Sequence, residues 1–218
     1  MYFESRTQAG QVLAAQLLEA YRFENCAVIA LNDGAVLIGE QVAAALHCVL
    51  TMLVTEDVDL PGENLSLGAV SQAGNFTYNS SFSQGEIDGY VSELHGYLEE
   101  QKREALQNIN RLIGEGGIID RDLFRDRVII LVSDGLDDSA SLDVALDFIK
   151  PIRYQKLVVA TPVATVAAVD KMHVAADEIH ILDVKTNYMG VNHYYEDNDT
   201  PTREQSIERI NQTILKWQ

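Results

Sequence analysis

The residue types most capable of chemistry sit together in Ser133-Asp134-Gly135-Leu136-Asp137-Asp138-Ser139-Ala140-Ser141. An apolar run, Val128-Ile129-Ile130-Leu131-Val132, precedes them, and Leu142, Val144, Ala145, Leu146, Phe148 and Ile149 follow with helical spacing. The first run has no internal polar residue and reads as a strand buried on both faces. Asp134-Gly135 breaks it as a turn. Strand, small-residue loop and helix N-terminus together form an anion-binding geometry, because loop and first-turn N–H groups point at the ligand and the helix dipole favours negative charge. The same carboxylates suggest a second chemistry. Asp134, Asp137 and Asp138 could hold a divalent cation, with further oxygens from Asp33, Glu56 or Asp57 if the loops converge. A third reading is structural: Asp137 or Asp138 caps the following helix and takes the place of a phosphate.

Those loops need a scaffold, and the chain supplies an alternating one. Thr7 to Tyr21 reads as an amphipathic helix with Val12, Leu13, Leu17, Ala20 and Tyr21 on one face. Cys26 to Leu31 is an apolar strand ending at Asn32-Asp33-Gly34, Val36 to His47 is helical, and Cys48 to Val54 is a second apolar run. This β-α-β unit implies parallel strands with a right-handed crossover. Thr55 to Asn64 is acidic and turn-rich and is expected to be a loop. Leu65 to Val70 and Asn75 to Tyr78 are expected to form a hairpin around Ala73-Gly74. Gly85 to Ile113 is a long charged helix striped by Ile87, Tyr90, Val91, Leu94 and Leu98, closed by Gly114-Glu115-Gly116-Gly117. Leu157 to Val163 is a strand ended by Pro162, Thr165 to Val174 a helix, Glu178 to Val184 a strand, and Arg203 to Trp217 a last amphipathic helix. The expected architecture is one α/β domain over residues 1–218, with a mostly parallel, Rossmann-like sheet flanked by helices and a small hairpin insertion.

Bulk composition narrows the partners. With 33 acidic and 16 basic residues, the net charge is −17. That argues against a nucleic-acid partner, which needs a basic face, and against an anionic membrane surface. An apolar content of 47% fits a globular chain. Cys26 and Cys48 lie in apolar segments without metal-ligand spacing, as expected of buried thiols in a reducing compartment. No charged segment followed by an apolar run opens the chain, and no apolar run approaches membrane-spanning length. The expectation is a cytoplasmic protein.

Ala30-Leu31-Asn32-Asp33-Gly34-Ala35-Val36, Leu60-Pro61-Gly62 with Leu67-Gly68-Ala69-Val70, the Ser133–Ser141 stretch, and Asn192-His193-Tyr194-Tyr195-Glu196-Asp197 occur in an order that resembles the type I phosphoribosyltransferases, especially their stand-alone bacterial members. The resemblance implies transfer of ribose 5-phosphate from phosphoribosyl pyrophosphate to a nitrogenous acceptor, with Mg²⁺. It makes Asn32, Asp33 and Gly34 the pyrophosphate loop and Ser133 to Ser141 the ribose-phosphate loop. It also makes Tyr188, Tyr194 and Tyr195 a hood over the acceptor. Family members often dimerise, and the helix face carrying Glu99, Glu100 and Glu104 could meet a second subunit, although a solvated face is the simpler reading.

The chain departs from the family pattern at each anion contact. Two adjacent acids become Ser133-Asp134, and a Gly- and Thr-rich loop becomes Asp137-Asp138-Ser139-Ala140-Ser141. A basic residue before the first-loop glycines is replaced in Asn32-Asp33-Gly34, and a basic pair in Thr55-Glu56-Asp57. Two like charges about 4 Å apart repel by roughly 4 kcal/mol at an effective dielectric near 20. A charge-assisted hydrogen bond returns only about 1.5–3 kcal/mol. The expected function is therefore a family homologue that has lost or altered phosphoribosyl pyrophosphate binding and serves as a binding or interaction module, with a small molecule as one conceivable ligand. The alternative is a working, diverged phosphoribosyltransferase using Mg²⁺. No catalytic residue is assigned. His173, His180 and His193 share no metal spacing.

Overall fold

In a computed structural model of the chain, residues 1–62, 65–113, 121–137 and 140–215 are described. They form α1 (Arg6–Tyr21), β1 (Cys26–Ala30), α2 (Asp33–Leu46), β2 (Val49–Met52), β3 (Thr55–Asp59), β4 (Ser66–Ser71), β5 (Phe76–Tyr78), α3 (Gln84–Ile113), β6 (Val128–Val132), α4 (Ser141–Ile149), β7 (Lys156–Thr165), α5 (Val166–Ala175), β8 (Glu178–Lys185) and α6 (Arg203–Leu215). The chain divides into two compact units. One comprises Met1–Met52, Asp120–Asp138 and Ile152–Gln218, and the other Leu53–Ile119 and Ser139–Pro151.

The first unit is built on a five-stranded, all-parallel sheet in the order β2-β1-β6-β7-β8. β1 and β6 are central, and every residue of both is buried. Their uninterrupted apolar sequences follow from helix cover on both faces. α1 and α2 pack closely. A Cβ on Gly10 would lie 2.8 Å from Ile38 Cα and 3.1 Å from Ile38 O, so the contact is backbone to backbone. α1 buries Arg6, Ala9, Gly10, Leu13, Ala14, Leu17 and Tyr21, whereas Val12 and Ala20 face solvent. The expected face is thus rotated. The 3–4 spacing that runs from position 6 to 21 is set by small residues meeting α2, and hydrophobicity alone does not reveal it.

The second unit holds an antiparallel sheet, β3-β4-β5, with α3 and α4. The expected hairpin is present, with Ser71 N–H donating to Asn75 O across its turn. β3 corrects the expected loop: Thr55 to Asp59 pair with β4 through backbone bonds. Only Val58 of the five is buried, so an edge strand accommodates its acids by turning them outward. α3 departs from helical geometry at Leu94 (φ −109°, ψ 17°). Its exposed face carries the i,i+3 pairs Lys102–Glu99 and Arg103–Glu100. Gly114 to Gly117 lie outside the described residues.

Pro162 does not end β7. The register with β8 runs from Val158↔Glu178 to Thr165↔Lys185 and passes over the proline, which has no N–H to give. β8 carries an ion cluster: Glu178 accepts from Lys156 Nζ at 2.6 Å and from the Tyr21 hydroxyl, and His180 stacks edge-on against Tyr21. Among the described residues no helix is long and apolar enough to cross a membrane.

The packing of α1 on α2 sets a first expectation. Gly10→Ala will destabilise the chain by about 1–3 kcal/mol through overpacking against a backbone that cannot retreat, while Val12→Ala will stay within roughly 0.5 kcal/mol, both read by urea melts. A second expectation concerns acid. Burial holds His180 below its ordinary value of about 6.5, with Glu178 opposing. The Lys156 ammonium, then the Tyr21 hydroxyl, hold Glu178 below its own ordinary range. The folded state therefore binds fewer protons than the unfolded chain in the window below about pH 6.5 for His180 and again in the lower carboxylate range for Glu178. Stability is full above both windows and falls as pH drops through them. Thermal melts between about pH 7 and pH 5 will show a decline in Tm that His180→Gln flattens.

Candidate functional site

Three segments of the first unit meet at the C-terminal ends of β1 and β6: the first turn of α1, the first turn of α2 and the loop after β6. The centre is Arg6. Ser5 caps α1, its hydroxyl accepting from Gln8 N–H at 3.2 Å, and the next residue, Arg6, opens the helix. Its Nε donates to Asp134 Oδ2 at 2.7 Å and its Nη2 to Asn192 Oδ1 at 2.7 Å. Its guanidinium carbon lies 4.6 Å from the centre of the Tyr195 ring. The side chains of Arg6 and Asp134 are 1% and 5% exposed, so this is a fully buried ion pair. Arg6 Nη1 is buried with no hydrogen-bond partner in the structure.

Both loops expected to hold the anion close on that pair. α2 begins at Asp33 and is capped by Asn32, whose Oδ1 accepts from Ala35 N–H at 2.7 Å. Asn32 Nδ2 also reaches Ser133 Oγ at 3.5 Å. A Cβ on Gly34 would collide with the Asp134 carboxylate and stand 2.7 Å from Arg6 Nε. Here glycine serves the approach of a carboxylate belonging to the protein itself. Asp33 is answered by Arg203 at the start of α6, whose Nε lies 3.0 and 2.9 Å from its two carboxylate oxygens.

In the loop after β6, backbone donors are used internally. Ser133 N–H donates to Ala160 O at 3.3 Å, Gly135 N–H to Ser133 Oγ at 3.3 Å, and Leu136 N–H to Val163 O at 2.9 Å. Leu136 is buried and makes a parallel bridge to Ala164. Asp137 is exposed, Ala140 is buried, and Asp138 and Ser139 lie outside the described residues. The helix after the loop has Ala140 as its N-cap, with no side-chain cap bond, and starts at Ser141. Asp137 is therefore three residues before the cap position, which Ala140 occupies. The division between the two units falls between Asp138 and Ser139, so β6 and α4 belong to different units.

The aromatic segment covers this loop. Tyr194 and Tyr195 are 3% exposed and pack with Phe3, Ala9 and Val163. The Tyr195 hydroxyl donates to Asp134 O at 2.5 Å. A Cβ on Gly135 would lie 2.7 Å from Tyr188 Oη and 2.7 Å from Val191 Cγ2. Burial first, then the Asp137 and Asp134 carboxylates, raise the Tyr188 phenol well above its ordinary range. Burial and then Asp134 do the same for Tyr195, against a lowering by Arg6. Both phenols are neutral near pH 7 and act as hydrogen-bond groups.

Of the carboxylates expected to hold Mg²⁺, Asp138 lies outside the described residues, and two others are engaged by arginines. The Asp134 oxygen Oδ2 is committed to Arg6, and Asp33 is paired with Arg203. Glu56 and Asp57 lie on β3, in the second unit. Among the described residues no three His, Cys, Asp or Glu side chains gather as a metal site. Arg6, Asn192 and Arg203 were not assigned roles from sequence. Arg6 and Asp134 are 128 positions apart, and no local pattern announces such a contact.

The pair sets a measurable expectation. Removing one partner of a buried ion pair leaves an uncompensated charge and costs about 3–5 kcal/mol. Arg6→Met and Asp134→Ala will each lower stability on that scale, and the double variant will lose clearly less than their sum in a denaturant double-mutant cycle.

No protein-family model matches the chain. Two Mycobacterium tuberculosis proteins are similar to it, named "Putative phosphoribosyl transferase MT0597" in strain CDC 1551 / Oshkosh and "Putative phosphoribosyl transferase Rv0571c" in strain H37Rv. Each is 25% identical over 207 residues, which is 94% of this chain but 45% of the relative. The chain thus spans less than half the length of these relatives. Among solved structures, TT1426 from Thermus thermophilus superposes with a TM-score of 0.71 at 25% identity, covering 100% of this chain and 99% of that one. The parallel α/β sheet, with likeness along nearly the whole chain to proteins bearing that name, supports a relationship to the phosphoribosyltransferase family.

Proposed function

We propose that this protein is a phosphoribosyltransferase homologue that has lost or altered phosphoribosyl pyrophosphate binding and acts as a binding or interaction module. The observation that carries this reading is the buried Arg6–Asp134 pair. Of the two adjacent acids that the family resemblance leads one to expect, only Asp134 remains. One of its oxygens accepts from Arg6 and its side chain is 5% exposed. A ribose hydroxyl would have to displace Arg6 to reach that oxygen, leaving a guanidinium uncompensated in a low-dielectric interior. Gly34 is filled by the same carboxylate, and the amides of Ser133, Gly135 and Leu136 are already bonded within the chain. Asp137 adds a negative charge beside the loop, where a polyanion would meet repulsion.

One observation favours the alternative, a working phosphoribosyltransferase that uses Mg²⁺. Arg203 returns a cation to Asp33, so the first loop is not left with an unanswered negative charge. Isothermal calorimetry with phosphoribosyl pyrophosphate, with and without Mg²⁺, separates the two readings. The expected result is no saturable heat at micromolar ligand under either condition. Micromolar binding that is abolished by Ser139→Asp would overturn the proposal and restore the enzyme reading.

A further inference from the structure

The chain has two cysteines, Cys26 and Cys48. Both are free thiols; Cys26 opens β1 and Cys48 immediately precedes β2. Ala27 pairs with Val49, Val28 with Leu50, Ile29 with Thr51 and Ala30 with Met52. Carried one step back past the first pair, the same offset sets Cys26 against Cys48, and the two thiols are near enough for Cys26 to act on Cys48 electrostatically. Partners in the register also share a face. A Cβ on Gly39 of α2 would lie 2.8 Å from Leu50 Cδ1 and 3.5 Å from Val28 Cγ1, so Val28 and Leu50 both point toward α2. Two residues earlier stand Cys26, the first residue of β1, and Cys48, one residue before β2, which strand alternation carried to that position would turn the same way. Neighbouring strands lie about 4.8 Å apart. A disulfide asks for Cα atoms about 4.4–6.8 Å apart.

We propose that Cys26 and Cys48 form an intramolecular disulfide under a peroxide-class oxidant, stapling the two ends of the β1-α2-β2 crossover. The two thiols differ in access. Cys26 is 1% exposed and its Sγ faces Tyr21 O at 4.0 Å, whereas Cys48 is half-buried and reachable from solvent. Cys48 is the thiol that meets the oxidant. Its thiolate attacks one peroxide oxygen, the O–O bond breaks, and Cys48 becomes a sulfenic acid with release of hydroxide. Cys26 sulfur then attacks the Cys48 sulfur, the S–O bond breaks, and water leaves. In sum, two thiols and one hydrogen peroxide give one disulfide and two waters, sulfur being oxidised and peroxide reduced.

The electrostatics make this a slow but persistent link. Burial pushes Cys48 up to about 12, with Cys26 adding to it and Arg127 opposing. Burial, then Glu24, pushes Cys26 up to about 11. Little thiolate is present at neutral pH, so oxidation is slow. Thiols of high pKa are also poor leaving groups, so the disulfide resists reduction once made. The ring it closes contains all of α2, including Asn32, Asp33 and Gly34, and the cross-link restricts the unfolded chain.

The test uses the whole reduced protein treated with hydrogen peroxide, followed by intact mass, peptide mapping and a thermal melt. The expected product has lost two hydrogens, joins the Cys26 and Cys48 peptides within one chain, and melts several degrees higher until reductant reverses the shift. Cys26→Ser and Cys48→Ser will each abolish both the link and the shift. Oxygen adducts on Cys48 without a link, a disulfide between two chains, or a link that leaves Tm unchanged or lowered would overturn the proposal. Full retention of both thiols after prolonged exposure to peroxide and to diamide would do the same.

Discussion

A guanidinium and a carboxylate, each almost wholly removed from water, hold the first unit together at the point where a substrate loop would be expected. Desolvating two ions is expensive, and only close geometry with further hydrogen bonds offsets it. Arg6 has that geometry: Asp134 on Nε, Asn192 on Nη2 and the Tyr195 ring against its plane. The arrangement constrains its neighbours in turn. Position 34 must lack a side chain, Tyr195 must give its hydroxyl to the Asp134 carbonyl, and the aromatic segment must lie across the loop. α1, α2, β6 and the segment near residue 192 are thereby locked to one another by charge as well as by packing.

That lock changes the meaning of residues whose types suggested anion chemistry. Asn32 is a helix cap, Gly34 makes room for an internal carboxylate, and Ser133 exchanges hydrogen bonds with the backbone of Gly135. Each keeps the small polar character useful near a phosphate. Each is also satisfied by the protein alone. A polyanion approaching would compete with finished hydrogen bonds and with an exposed acid at Asp137.

Much of the scaffold was legible because its signals are local. β1, β6 and β7 are apolar runs without interruption, the mark of strands covered on both faces, and the Ala73-Gly74 turn announced the β4–β5 hairpin. β3 was hidden because Glu56, Asp57 and Asp59 follow the composition of a loop, while an edge strand needs only its backbone to pair. Pro162 misled for the opposite reason: a residue that ends many strands is tolerated where β7 needs no donor from it. Of the site, the loops could be found and the lock could not. Arg6 is one cation among 16, and its partners lie 128 and 186 positions away. Its significance depends on burial, which has no signature in a single polar residue beside a helix cap.

The seam between the first and last parts of the chain has a consequence in time. Phe3 N–H bonds to Tyr194 O at 2.9 Å, and Glu196 and Asp197 N–H bond back to Phe3 and Glu4 carbonyls at 2.9 Å. A ribosome adds about 5–20 residues per second, so roughly ten to forty seconds separate the synthesis of Arg6 from that of Asn192. Until then Arg6 Nη2 lacks its Asn192 acceptor and the guanidinium lacks the Tyr195 ring, although Asp134 is made earlier. Arg6 is thus sealed in by residues made long after it, and closure of the first unit waits on the synthesis of the segment near residue 192.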